Sequence, residues 1–287
     1  MQNTSDVNDT AYCGITEARL MQNTSDVNGT AYCGIADYYE LWSQGDYCWN
    51  SSYDFYVNIL DGMSSPMLEA GIGTGRIAGA VLGHCDAANI TGIDSSPEML
   101  RICAEKYKDF VDADRLRLIN ADFCDDSFNF PGRFKTVYMP FRTIGHILTD
   151  AQMNKFFERI FTSLADDGIF MFDHYIFDRS WAEQHNHTKR IMYSDEQLTI
   201  SDYYVYDFEN HLMDCRISVN DVVVQKFKFR WFIPDEIRNF AENSGFRVSK
   251  LFGDFDGSSF DSSSENQIWL LQKNQRYVNT LHRKDSR

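Results

Sequence analysis

From Met67 onward the chain alternates short apolar runs with amphipathic stretches, and the period of each run predicts its element. Met67–Ala70, Ile90–Ile93, Leu116–Ile119, Phe134–Met139 and Ile169–Phe172 are short, apolar and bounded by turn residues, which predicts five buried strands. Between them Ile77–Leu82, Met99–Cys103 and about Ala151–Leu164 recur at helical spacing. Ser95 or Ser96 can cap the second helix with Pro97 in its first turn, and Asp166-Asp167-Gly168 is expected to stop the third. Such alternation predicts an α/β, doubly wound, mostly parallel sheet whose ligands lie at the carboxyl ends of its strands. Glu69, Asp94, Asp122, Pro140–His146 and Asp173-His174 would then share one edge.

The flanking regions read differently. Tyr38, Tyr39, Leu41 and Trp42, then Tyr53, Phe55, Tyr56, Ile59 and Leu60, predict two short aromatic helices that pack on the sheet or cover its ligand edge. Between Asp178 and Ile233, Leu198–Phe208, Leu212–Val219 and Val222–Phe232 alternate polar and apolar residues across short turns, which predicts an inserted antiparallel meander. A helix starting at Pro234 and ending at Gly245 follows, then a closing hairpin from Phe246–Phe255 and Gln267–Gln272. The tail from Gln275 is polar and expected to fray. The expected organisation is an N-terminal segment over 1–35, a core over 36–177, an insertion over 178–232, and the remainder of the core with the tail over 233–287.

Composition narrows the function classes. Met1–Ile15 and Met21–Ile35 match at fourteen of fifteen positions, differing at Asp9 against Gly29. Two polar copies cannot stack into a repeat architecture, so a duplication or start-site artefact with a dispensable first copy is expected. A net charge of −15 disfavours nucleic acid and anionic membrane partners. No apolar run approaches the roughly 20 residues of a membrane span, and no signal-peptide core opens the chain, so a cytoplasmic location is expected. The seven cysteines form no C-x-x-C pair, and His185 and His187 alone make no metal site; reduced thiols and no metal are the expectation.

The chemistry centres on Pro66–Arg76, P-M-L-E-A-G-I-G-T-G-R, where a strand, a glycine turn and a helix start follow in that order. Glycines let backbone approach a ligand, and the free N–H groups of a helix start suit its negative end. No Lys follows the glycines, which excludes a nucleotide P-loop, and Arg76 stands where a dinucleotide fingerprint needs its third glycine.

Together with Gly92-Ile-Asp-Ser-Ser-Pro-Glu-Met-Leu100, Asn120-Ala-Asp-Phe123, Phe134–His146 and Trp231–Glu236, this stretch resembles the class I S-adenosylmethionine-dependent methyltransferases. The resemblance spans about Ala36 to Lys273, and the insertion is similar to the lids of small-molecule N-methyltransferases. It implies a Rossmann-like seven-stranded sheet of order 3-2-1-4-5-7-6 with strand 7 antiparallel, S-adenosylmethionine as cofactor and S-adenosylhomocysteine as product. The implied cofactor residues are Glu69, Gly71, Gly73, Thr74, Gly75, Arg76, Asp94, Ser95, Met99, Ala121, Asp122, Phe123 and Met139. Asp94 would accept both ribose hydroxyls, Met99 and Phe123 would sandwich adenine, and Asp122 would accept from its amine.

The implied reaction displaces methyl from sulfonium in line, and much of its catalysis is proximity. His146 and His174 are the candidate bases. Tyr38, Tyr39, Arg142, Tyr204 and Trp231 are the candidate contacts to a small-molecule acceptor. Met139-Pro140-Phe141-Arg142 departs from the D/N-P-P-Y/F of enzymes that methylate bases, which with the charge disfavours nucleic acid, while the likeness of the insertion to small-molecule N-methyltransferase lids favours nitrogen of a small metabolite over its oxygen. A cofactor-binding, non-catalytic partner is the alternative, and a homodimer is left open.

Overall fold

The computed structural model describes residues 32–278 except 47, 48, 126 and 276, so the duplicated segment up to residue 31 and most of the tail lie outside the described residues. Five parallel strands, β1 (Met67–Ala70), β2 (Ile90–Asp94), β3 (Leu116–Asn120), β4 (Phe134–Met139) and β5 (Leu164–Tyr175), form the main sheet with β10 (Phe246–Phe252) and β11 (Asn266–Lys273). The order is β10-β11-β5-β4-β1-β2-β3, with β11 antiparallel to both neighbours. Counted within this sheet alone, that is the expected 3-2-1-4-5-7-6.

The first helices are α1 (Tyr39–Gln44), α2 (Trp49–Asp61) and α3 (Arg76–His84), followed by α4 (Pro97–Lys106) and the short α5 (Lys108–Asp112). Then come α6 (Asp150–Ser163), α7 (Arg179–His185) and α8 (Pro234–Asn243). Helix α6 shows the local logic. Thr149 accepts from the Gln152 amide at 3.2 Å while Gln152 reaches back, and Met153, Phe156, Phe157 and Ile160 then bury one face on the sheet. Each such side chain stabilises the fold by roughly 1.5–3 kcal/mol. Helix α6 ends at Ser163, one residue short of the expected Leu164, and Asp166-Asp167-Gly168 lie inside β5, which starts at Leu164 and not at Ile169. Their polarity reflects an exposed strand end, where Asp166 pairs with Arg133 and Asp167 with Lys135.

The insertion is a second, antiparallel sheet, β6 (Lys189–Ser194), β7 (Thr199–Asp207), β8 (Leu212–Val219) and β9 (Val222–Arg230), in that spatial order. Strand β6 and helix α7 carry no clean alternation and were not expected from the sequence. The N-terminal boundary also shifts. A 3-10 turn over Cys33–Tyr38 is part of the folded body, and fully buried Ile35 packs with Trp42 into the core of the second sheet. The Gly34 amide donates to Gln225 Oε1 on β9, and a Cβ at Gly34 would strike the Val224 carbonyl. Helix α2 packs instead against the main sheet through Phe55, Tyr56 and Leu60. Among the described residues no helix is long and apolar enough to cross a membrane.

Candidate active site

A cavity of about 690 Å³ lies between the carboxyl ends of β1–β4 and the inner face of the second sheet. That is within the roughly 300–1,000 Å³ of small-molecule sites.

One wall is the glycine turn and the ends of β2 and β3. Gly71, Gly73 and Gly75 all have positive φ (76°, 55° and 82°), the left-handed conformation glycine adopts without strain. Most of the turn's amides are already engaged: Gly71 and Ile72 donate to the Ile93 carbonyl, Gly75 to Ile72, and Gly73 to Asp94 Oδ2 at 2.8 Å. These four amides thus have partners within the protein, where the sequence leads one to expect free N–H groups. Space above Gly73 is open, with nothing within 4 Å of a built Cβ.

Asp94 stands beside that opening. Its other oxygen accepts from the Ser96 amide at 2.9 Å. Burial raises its pKa, and the amides of Ser96, Gly73 and Ser95 offset the rise by stabilising the carboxylate. Ser95, Met99, Asp122 and Phe123 line the same wall, and Asp122 Oδ1 accepts from the Cys124 amide at 2.7 Å.

The remaining expected cofactor residues lie behind this wall. Glu69 is buried beneath the turn, where Oε2 accepts from Tyr138 Oη at 2.9 Å; desolvation pushes its pKa up to about 8, and the Ala78 amide at the start of α3 counteracts that rise. Thr74 Oγ1 donates to Glu40 Oε1. Arg76 lies 4.1 Å over the Trp49 ring and donates to the Trp49 carbonyl and Ser52, joining α3 to α2. Ala121 donates its amide to the Asp94 carbonyl, and Met139 is fully buried. None of these five lines the cavity, nor does Gly75.

The facing wall gathers distant segments. His146 lines the cavity from a 3-10 turn over Thr143–His146, its Nε2 2.9 Å from Tyr32 Oη, and burial lowers its pKa to about 4. Arg142, also in the wall, pairs with Asp46 at 2.5 Å. Phe141 and Arg142 are consecutive non-glycine residues at φ 58° and 62°, and their amides donate to Asp173 Oδ1 (2.8 Å) and Oδ2 (2.9 Å). Tyr39 and Tyr204 line the cavity, the Tyr204 hydroxyl held between Asp202 (2.7 Å) and Arg190 (2.9 Å).

Three expected residues do not reach it. Tyr38 lies outside the lining, Trp231 is buried flat against Phe177 at 4.0 Å, and His174 is enclosed by Tyr175, Phe229 and Phe232. Desolvation, with the nearby Arg142 charge, lowers the pKa of His174 to about 3. His174 therefore cannot meet an acceptor in this arrangement. Sequence reasoning missed Tyr32, Asp46 and Arg190, which carry no motif of their own. No group of three or more metal-ligating side chains occurs among the described residues.

The open Gly73 and the carboxylates of Asp94 and Asp122, flanked by Met99 and Phe123, suit a ligand with a hydroxylated ring, an aromatic base and no phosphate. Residues 67–168 match the family model described as a methyltransferase domain. Over 62 residues the chain is 39% identical to the ribosomal RNA small subunit methyltransferase H of Thermotoga neapolitana, covering 22% of this chain and 20% of that protein. The CcbJ methyltransferase of Streptomyces caelestis superposes with a TM-score of 0.70 at 18% identity, covering 85% of this chain and 99% of that one. The glycopeptide N-methyltransferase MtfA, solved with S-adenosylmethionine, gives 0.52 at 18% identity over 78% of this chain and 93% of its own. The chain therefore carries a methyltransferase domain over residues 67–168, set in the fold of the S-adenosylmethionine-dependent class I methyltransferases.

Proposed function

We propose that the protein transfers a methyl group from S-adenosylmethionine to a nitrogen atom of a small-molecule acceptor. The observation that carries the donor is the Asp94 carboxylate beside the open face of Gly73. There Asp94 would hold the ribose hydroxyls, Met99 and Phe123 would flank the adenine, and Asp122 would meet its amine. Bound in this way, S-adenosylmethionine supplies a methyl group already activated by its sulfonium.

The preference for nitrogen rests on the facing wall. A hydroxyl acceptor gains from a base near neutral pKa, whereas an amine needs only to arrive uncharged. His146 is held far below that range, and its Nε2 is already engaged by Tyr32. Aromatic side chains, Tyr39, Trp42, Phe227 and Phe229 among them, line this half of the cavity and exclude water, which favours the neutral amine. The protein's part is then to align the acceptor. The match to an N-methyltransferase supports the same reading.

Calorimetry with S-adenosylmethionine and S-adenosylhomocysteine tests the donor: both bind, and Asp94→Ala weakens binding by about 2 kcal/mol, roughly 30-fold. No binding by the wild type would sink the reading. A panel of small amines and their matched alcohols tests the atom, and turnover of alcohols alone would overturn the nitrogen assignment.

A further inference from the structure

We infer that the Tyr32 hydroxyl orients the attacking atom of the acceptor, and that His146 acts only through Tyr32, as the hydrogen-bond acceptor that fixes it. The inference rests on the methyl-transfer reading and adds a residue to it.

Tyr32 and His146 meet across 114 positions of sequence, Oη to Nε2 at 2.9 Å, and both line the cavity. The Tyr32 ring is packed among His146 (5.3 Å, edge-on), Phe227 (5.0 Å), Tyr39 (5.5 Å) and Trp42 (6.1 Å). The imidazole cannot retreat. Phe227 and Phe229 hold it at 5.4 and 5.1 Å, and the preceding Gly145 has no room for a Cβ against the Phe229 ring.

The bond is one between two uncharged groups. Burial raises the Tyr32 phenol well above its ordinary range, with Tyr39, Cys215 and Asp94 adding to the rise. Burial lowers the imidazole to about 4. The groups facing it are Tyr32 from the N-terminal turn, Phe227 and Phe229 from β9 and His174 from β5. Its own loop adds Arg142, which is paired with Asp46. No carboxylate among them offsets the burial. From about pH 5 upward both groups are uncharged, and the tautomer inferred is the one in which the phenol donates and Nε2 accepts, so that the lone pair a base would use is occupied. What remains is the phenol oxygen, a hydrogen-bond acceptor able to receive an N–H and so turn a nitrogen lone pair towards the methyl group. No proton moves in this arrangement.

Tyr32 belongs to the second copy of the repeat, and its sequence twin is Tyr12. The test is nuclear magnetic resonance of ¹⁵N-histidine-labelled full-length protein, with His146→Gln assigning the resonance. The expected result is a neutral ring protonated on Nδ1 from pH 5 to 8, with an Nε2 shift that Tyr32→Phe moves and Tyr12→Phe leaves alone. Titration near 6.5, a proton on Nε2, or no response to Tyr32→Phe overturns the inference.

Kinetics with an amine from the panel give the second arm. Tyr32→Phe should lower kcat tenfold or more while S-adenosylhomocysteine affinity stays within twofold. His146→Gln, which keeps an acceptor oxygen, should retain kcat within threefold, and His146→Ala should fall as far as Tyr32→Phe. The double variant Tyr32→Phe/His146→Ala should fall no further. Additive losses, or an unchanged kcat in Tyr32→Phe, would overturn it. A wild type that fails to bind the cofactor would refute the donor assignment, whereas the resonance test judges the pair without it.

Discussion

The two walls of the cavity are built in opposite ways. Gly71, Gly73, Asp94, Ser95, Met99, Asp122 and Phe123 come from one stretch of chain, at the ends of three neighbouring parallel strands. Tyr32, Asp46, His146, Arg190, Tyr204 and Phe227 come from the N-terminal turn, the loop after α1, the loop after β4 and three strands of the second sheet. The first wall depends on local turn geometry and strand order. The second exists only once separate segments have docked, so it should be the more easily lost.

The sharpest way to break the second wall alone is at Asp173. Its carboxylate is buried, accepts from Tyr56 Oη at 2.6 Å and holds the amides of Phe141 and Arg142 in their left-handed turn. Two such residues are strained by roughly 1 kcal/mol or more each, and the carboxylate offsets that strain. Asp173→Ala leaves a buried hydroxyl and two amides without their acceptor, at a cost of about 3–5 kcal/mol. For a chain of this size that lowers Tm by at least roughly 6 °C. The loop carrying Arg142 and His146 should relax, and the His146 resonance should change with it. Thermal unfolding within 2 °C of the wild type would show that the turn holds itself.

Asp173 also marks where the sequence stopped being legible. The strand ends follow from apolar runs and turn glycines, whereas the sheet order and the donor-side residues are what the resemblance to the methyltransferases implies. The sequence places Asp173 and His174 together on one edge, yet successive strand residues point to opposite faces. One reaches the loop after β4 and the other is enclosed by Phe229 and Phe232. The resemblance implies Glu69 as a cofactor residue, but its side chain is buried against Tyr138 beneath the glycine turn and does not line the cavity. Tyr32 was invisible for another reason. It sits in a polar repeat whose composition argues for no structure, and only the docking of Ile35 into the second sheet shows that the last residues of the repeat belong to the fold.

Within the first wall the glycines separate contact with the ligand from contact with the protein. A Cβ at Gly75 would lie 2.5 Å from Cys103 Sγ and 2.8 Å from the Tyr107 ring, while one at Gly73 meets open cavity. Both have positive φ, so alanine is strained at either position by roughly 1 kcal/mol. Gly75→Ala should lose about 2–3 kcal/mol of stability once overpacking is added. Gly73→Ala should lose only the strain but weaken S-adenosylhomocysteine binding tenfold or more, because its methyl occupies the approach to Asp94. Unfolding and calorimetry on both variants check the separation, and equal stability losses with equal affinities would contradict it.

The smallest effect distinguishes two carboxylates at the ends of adjacent strands. Asp94 receives amide donors and faces the cavity, whereas Glu69 has Tyr138 and one helix-start amide and lies beneath the turn. Burial raises Glu69 from 4.5 to about 8, so the folded protein keeps a proton there that the unfolded chain releases near 4.5. Between those values the native state binds more protons, and its stability falls as pH rises. The contribution is complete below about pH 4.5 and gone above about 8. The two buried histidines act in the opposite sense at lower pH. His146 at about 4 and His174 at about 3 release protons that the unfolded chain holds up to about 6.5, so acidification through that window destabilises the fold. Glu69→Gln, uncharged at every pH, should be near neutral in stability at pH 6 and about 1 kcal/mol more stable than the wild type by pH 7, the gain growing until about pH 8. Affinity for S-adenosylhomocysteine should stay within twofold, because Glu69 does not line the cavity. Denaturant unfolding across pH 5–9 checks the slope. A variant as pH-dependent as the wild type would mean that Glu69 is ionised under the turn, and a large loss of affinity would return it to the cofactor wall.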